Sequence, residues 1–196
     1  MPNMHMTRRA LGAAAIALSL AATAALAQQP ARIRGQIEKV DGAVLVLKTR
    51  DGAMLNVKVD DKTRVSALVK ATLADIKTDS FIGIAGIPQP DGSIQAFSIH
   101  LFLPAQRGVV ADRHTPWDAR PNSTVTNGYV ENAITSKDGE KKIVVTPQTV
   151  IAAVAPGKKE ELKAGTPIII FASEKQADGS VLAKVMYVGR DVAPAM

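Results

Sequence analysis

The stretch Asp91-Gly-Ser-Ile-Gln-Ala-Phe-Ser-Ile99 returns 87 positions later as Asp178-Gly-Ser-Val-Leu-Ala-Lys-Val-Met186. Two neighbouring segments recur with it: Ile82-Gly-Ile-Ala85 falls on Ile168-Ile-Ile-Phe171, and Thr63-Arg-Val65 on Thr149-Val-Ile151, both at an offset of 86. A nearly constant offset shared by separated segments marks an internal duplication. Each copy reads as strand, hairpin, a turn containing Thr, a short helical crossover, a buried strand, Asp-Gly-Ser and a last strand.

The repeat is rich in strand signals. Asp-Gly pairs stand at 41/42, 51/52, 91/92, 138/139 and 178/179, each between runs of Val, Ile, Leu and Thr. Asp-Gly accepts the positive φ angles of tight hairpin turns. Leu55, Val57 and Val59 alternate with Asn56 and Lys58, the pattern of a half-buried strand, whereas the apolar run from Phe81 to Ile87 suits a strand covered on both faces. In the first copy a meander is expected near 32–40, 43–50 and 53–60. A short helix presenting Val69, Leu73 and Ile76 on one face follows, then strands near 81–87 and 93–103.

This order predicts a mainly β protein of two tandem small OB-like β-barrels joined by a Pro-rich connector. The expected segments are a signal peptide over 1–27, a first barrel over 28–103, a connector over 104–123, a second, shortened barrel over 124–190 and a tail over 191–196. Gly35 to Thr63 spans 28 positions but Gly128 to Thr149 only 21, so the second copy lacks about one strand of its meander. Either Thr124 to Thr135 bends to supply two short strands or a sheet edge is left open; an open edge needs cover, and the connector is the nearest segment able to give it.

Arg8 and Arg9, the uncharged run Ala10 to Leu26 and the small residues Ala25-Leu26-Ala27 have the form of a cleaved export signal, with Gln28 as the expected mature start. Thr7-Arg-Arg-Ala-Leu11 partly resembles a twin-arginine signal, but two adjacent arginines are common by chance and ordinary export is the favoured reading. A periplasmic or secreted protein without a transmembrane anchor is expected. With no cysteine, its stability must come from apolar cores. Loss of the two leader arginines lowers the formal charge from +6 to +4. Such a mild surplus suits an envelope protein, a glycan or a small ligand as partner, and not nucleic acid.

The connector concentrates the rarer residues. Arg113-His-Thr-Pro-Trp-Asp-Ala-Arg-Pro-Asn-Ser-Thr124 holds the chain's only tryptophan, and Pro104, Pro116 and Pro121 keep their surroundings extended. Trp117 with Arg113 and Arg120 offers a stacking face and guanidinium groups to a ligand; alternatively Trp117 packs between the copies for its apolar area. Asp112, His114 and Asp118 offer oxygen and imidazole donors to a divalent metal. Against a transition-metal site, residues 28–196 hold two histidines and no cysteine. His100 corresponds to Tyr187 in the second copy, a half-buried ring with a polar tip. The Lys pairs at 141/142 and 158/159 read as solubilising charge.

No nucleophile elbow, zinc-protease helix, dinucleotide loop or phosphate loop is present in the sequence. Ser123 follows His114 and Asp112 on an irregular segment, which sets no triad geometry. The composition therefore points to a binding or envelope-interaction module that is not an enzyme and carries no cofactor. A weak divalent metal-binding protein using Asp112, His114 and Asp118 is the alternative.

With these residues laid out, the chain resembles a family of small exported bacterial β-domains of unknown function. The resemblance rests on Gly35-Gln-Ile37, Thr63, Ile82-Gly-Ile84 and Asp91-Gly-Ser-Ile-Gln-Ala96, and again on Gly128-Tyr-Val130, Thr149, Ile168-Ile-Ile170 and Asp178-Gly-Ser-Val-Leu-Ala183. A closer likeness is to two-copy periplasmic members whose connector carries an R-x-x-P-W-D and S-T-x-T-N pattern, present here as Arg113-His-Thr-Pro-Trp-Asp118 and Ser123-Thr-Val-Thr-Asn127. Some of those members bear a metal-transporter permease label, which implies metal association and is at odds with a chain lacking membrane-spanning runs after its leader. The resemblance implies OB-like barrels and an export destination.

Overall fold

The computed structural model describes residues 32–131 and 134–195; the expected leader lies outside them. Among the described residues the fold is mainly β. The N-terminal copy supplies β1 (Ile33–Asp41), β2 (Val44–Thr49), β3 (Met54–Lys58), β4 (Arg64–Lys70), β5 (Phe81–Pro88) and β6 (Ile94–Leu101). The connector supplies β7 (Arg113–Pro116). The C-terminal copy supplies β8 (Thr124–Val130), β9 (Ile134–Ser136), β10 (Gly139–Lys141), β11 (Ile143–Val144), β12 (Val150–Pro156), β13 (Pro167–Lys175) and β14 (Val181–Gly189). The Asp-Gly turns form as expected, with Gly42 at φ 58° and Gly179 at φ 81°, a region that glycine enters without steric cost.

The meander β1–β2–β3 forms as the sequence predicts, but the copies do not close on their own last hairpins. β13 pairs antiparallel with β1, setting Ile168 opposite Gly35. Its partner β14 runs parallel to β3, with Val181 opposite Val57, and parallel to β4, with Val188 opposite Ala67. The strands β1, β2, β3, β14 and β13 therefore form a closed five-stranded barrel. The same exchange operates in reverse. β5 pairs with β8, setting Ile82 opposite Gly128, and β6 runs parallel to β11 and β12. The Gly-x-Ile or Gly-x-Val start of one copy thus meets the Ile-x-Ile strand of the other, twice.

The exchange has a physical origin at the segment where a helical crossover is expected. Residues Arg64 to Lys70 form strand β4, and only Leu73–Asp75 make a single 3-10 turn. Leu73 is 54% exposed, so it contributes no helix face to a core. The β-branched Val65 and Val69 favour extended backbone, and a seven-residue strand advances about 23 Å. The chain is carried away from its own meander before β5 begins.

β4 and β12 pair antiparallel, with Leu68 opposite Val154. These two residues are themselves equivalent at the repeat offset of 86, so a pseudo-twofold axis passes between them. We call lobe one the set β1–β4 with β13–β14, and lobe two the set β5–β12.

Alternation along the strands sorts side chains into three cores. Ile37, Leu47, Ile168, Ile170 and Met186 fill lobe one. Ile82, Ile84, Ala96 and Ile99 fill lobe two. Leu68, Ala152, Val154, Ile169 and Tyr187, on the opposite faces of the central strands, form a third core between the lobes. In lobe two the shortened meander leaves part of β8 without a long partner, and connector strand β7 occupies it, with Arg113 opposite Asn127 and Pro116 opposite Thr124.

Candidate ligand cavity between the lobes

The strand faces turned away from the lobe interiors do not pack completely. They enclose a cavity of about 470 Å³, within the size range of small-molecule sites. Its walls are the two exchanged hairpins, and repeat equivalence shows how the space arises. On one side β13 and β14 present Ile169, Phe171, Val185 and Tyr187; on the other, the equivalent positions on β5 and β6 are Gly83, Ala85, Ser98 and His100. One wall is bulky and apolar, the other small and polar. At Gly83 a Cβ would lie 2.8 Å from both Asn127 Oδ1 and the Phe102 ring, so a side chain there would require those two residues to shift.

The connector, with the preceding Leu103, roofs the space through Gln106, Val109 and Val110. Specific bonds fix the roof. Gln106 Nε2 donates to Tyr187 Oη at 2.7 Å, and Asn127 Nδ2 donates to the Ala111 carbonyl at 2.9 Å. Arg34 Nε donates to the Ala195 carbonyl at 3.1 Å, which holds the C-terminal segment where Pro194 and Ala195 complete the lining. Burial raises the Tyr187 phenol above its ordinary pKa, while the Gln106 bond opposes that shift.

Trp117 and Arg113 both line this cavity, as a ligand reading of the connector expects. Trp117 also joins the lobes, because the Arg32 guanidinium lies 4.0 Å from its ring centroid and Arg34 lies 5.3 Å away. Arg120 is elsewhere, stacked 4.1 Å over Phe97 and not among the lining residues. Ser123 Oγ bridges the carbonyls of Trp117 and Arg120 at 3.0 and 2.7 Å. Its role is to hold the turn after Trp117, with no histidine partner.

The proposed metal donors are not brought together. Asp118 is held by Arg34 at 2.7 Å and Arg32 at 3.5 Å. Asp112 Oδ1 accepts from the Lys137 backbone N–H at 2.9 Å. The His114 backbone N–H donates to Asp138 Oδ2 at 2.6 Å, and its Nδ1 lies 2.7 Å from Thr126 Oγ1. Among the described residues no group of three or more His, Cys, Asp or Glu side chains is placed to hold a metal ion.

The electrostatics of the cavity are one-sided. Arg32, Arg64 and Arg113 line it, and no Asp or Glu does. Burial, together with the like charges of Arg34 and Arg113, pulls Arg32 below its ordinary pKa, opposed by Asp118. Burial raises Asp118, but the hydrogen bond and charge of Arg34 and the charge of Arg32 outweigh it and leave the carboxyl below its ordinary value. His100, 3.2 Å from Ser98 Oγ, is lowered by burial to about 4 and is neutral at pH 7. On two of the lining residues, Arg113 and Trp117, the donors Nε and Nε1 are buried without a hydrogen-bond partner.

Arg32 and Arg64 carry no distinguishing mark in the sequence, since an arginine at a strand start reads as solvated charge. The available signal is the comparison of copies, where small and polar residues face bulky apolar ones. No family model, curated protein or solved structure matches the chain, so the chemistry of the cavity is read from its own residues.

Proposed function

We propose that the protein is a non-enzymatic binding module of the bacterial envelope, built on a duplicated OB-like barrel, that takes a small ligand in the cavity between its lobes. The observation that carries this reading is the cavity of about 470 Å³, walled by both copies and roofed by the connector. The ring order β1–β2–β3–β14–β13 supports the OB-like description. An export destination is supported by the leader-like first 27 residues. Among the described residues no helix is long and apolar enough to cross a membrane.

A binding role is favoured over catalysis because the hydroxyl–imidazole pair of the cavity, Ser98 Oγ and His100 Nε2 at 3.2 Å, has no acidic side chain in the cavity lining to orient and charge-stabilise the imidazole. The test is a cavity-filling variant. Ala85→Phe places at one wall the residue that the other wall carries as Phe171. Native mass spectrometry of gently purified protein is expected to show a stoichiometric organic adduct that this variant lacks. An adduct retained unchanged in a folded Ala85→Phe protein would place the ligand elsewhere and overturn the assignment.

A further inference from the structure

The geometry points to an amphiphilic oxyanion as the ligand: an anionic oxygen head at Arg32, Arg113 and Trp117, and an apolar body along Phe102, Ile169 and Phe171. This inference rests on the reading of the cavity as a binding site and adds the chemical class of what fills it.

Three observations define the head position. Arg32 and Arg113 both line the cavity, and no acidic side chain lines it. Asp118, the carboxylate beside Arg32, is already shared between Arg32 and Arg34, and Arg113 has no ion-pair partner among the described residues. The unsatisfied Nε of Arg113 and Nε1 of Trp117 are donors only. Donors left over beside surplus positive charge call for an acceptor that is itself negative, since charge-assisted bonds are the stronger kind.

The body position follows from the repeat comparison. Ile169 and Phe171 present apolar surface into the cavity, across from the small side chain of Ala85 on the facing wall. The Phe102 ring fills the position above Gly83. A fully hydrated anion such as acetate gains nothing from that wall, and a neutral chain gains nothing from the arginines. Only a molecule with both parts uses the whole lining.

Trp117 is the single tryptophan, so its fluorescence reports occupancy directly. The experiment titrates the wild-type protein with decanoate, decanol, decylamine and acetate, following Trp117 emission and confirming by calorimetry. Decanoate is expected to bind at least about tenfold more tightly than decanol, a difference of about 1.4 kcal/mol, with decylamine and acetate showing no saturable binding. Arg113→Gln should bring decanoate down to the affinity of decanol, and Arg120→Gln, outside the cavity, should leave it unchanged. Equal binding of decanol and decanoate overturns the oxyanion head while the cavity reading stands. Acetate binding as well as decanoate overturns the apolar body. No response to any of the four overturns both this inference and the cavity reading. The comparison of ligands is made on the wild-type chain, so it does not depend on a variant folding.

Discussion

Thr63 and Ala183 stand 120 positions apart, yet Thr63 Oγ donates a 2.8 Å hydrogen bond to the Ala183 carbonyl. The equivalent Thr149 Oγ donates at 2.7 Å to the carbonyl of Ala96, the equivalent of Ala183. The threonine that the repeat keeps in each copy therefore ties its own turn to the hairpin of the other copy. Thr63→Val is expected to cost about 1 to 2 kcal/mol, the loss of a buried hydrogen bond with its acceptor left unsatisfied. Urea unfolding checks it; an unchanged midpoint would show the bond to be energetically silent.

Because each lobe is completed by the other copy, neither can unfold without dismantling its partner. Calorimetry of the whole chain is expected to give one transition, with van't Hoff and calorimetric enthalpies equal. Two resolved transitions would contradict interlocking.

Arg34 has a side chain only 3% exposed and depends on Asp118 for its counter-charge. Asp118→Ala should destabilise the protein by about 2 kcal/mol, the cost of breaking a buried ion pair reduced for the partial exposure of Asp118. Since the Asp118 carboxyl lies below its ordinary pKa in the folded state, its contribution is present at neutral pH and lost as pH falls through that lowered value. The difference between wild type and variant should therefore narrow in strong acid, and a difference that widens there would refute the assignment.

His100 titrates at about 4 in the folded protein, against about 6.5 when unfolded. The unfolded state binds the proton first, so stability falls as pH is lowered from about 6.5 towards about 4, at up to about 1.4 kcal/mol per pH unit. His100→Gln should flatten that limb. Denaturation midpoints at pH 7, 5.5 and 4.5 decide the matter, because parallel curves for the two proteins would mean His100 is not the group responsible.

At Gly35 a Cβ would meet the Lys48 carbonyl oxygen at 2.2 Å, a backbone atom that cannot move aside without shifting β2. Gly35→Ala is accordingly expected to cost about 3 kcal/mol, the upper end of overpacking. A variant of wild-type stability would mean that β1 and β2 approach less closely than the register shows.

The duplication, the hairpins and the buried strands were legible because they depend on local pattern: Asp-Gly turns, period-two alternation and a fixed offset. The connector's cover of the open edge was legible too, from a simple deficit in length between Gly128 and Thr149. The hairpin exchange was not. Pairing β13 with β1 or with β8 satisfies the same alternation, and the choice turns on whether Arg64 to Lys70 runs extended or coils back. The three apolar positions Val69, Leu73 and Ile76 fit a helix face, yet in the fold they serve different surroundings. Trp117 and Arg113 were legible as rare residues on a Pro-rich segment, while Arg32 and Arg64 became functional candidates only once the exchange brought their strands to the same space.

The pseudo-twofold axis between Leu68 and Val154 has one further consequence. Two separate chains, each with a single copy, would build the same interlocked pair only at concentrations that sustain a dimer, and identical copies would line the central space identically on both sides. Joined by residues 104–123, the copies meet at a fixed effective concentration however dilute the protein. Release from identity lets one wall lose its side chains while the other keeps them, and a symmetric scaffold thereby acquires a pocket with two different ends.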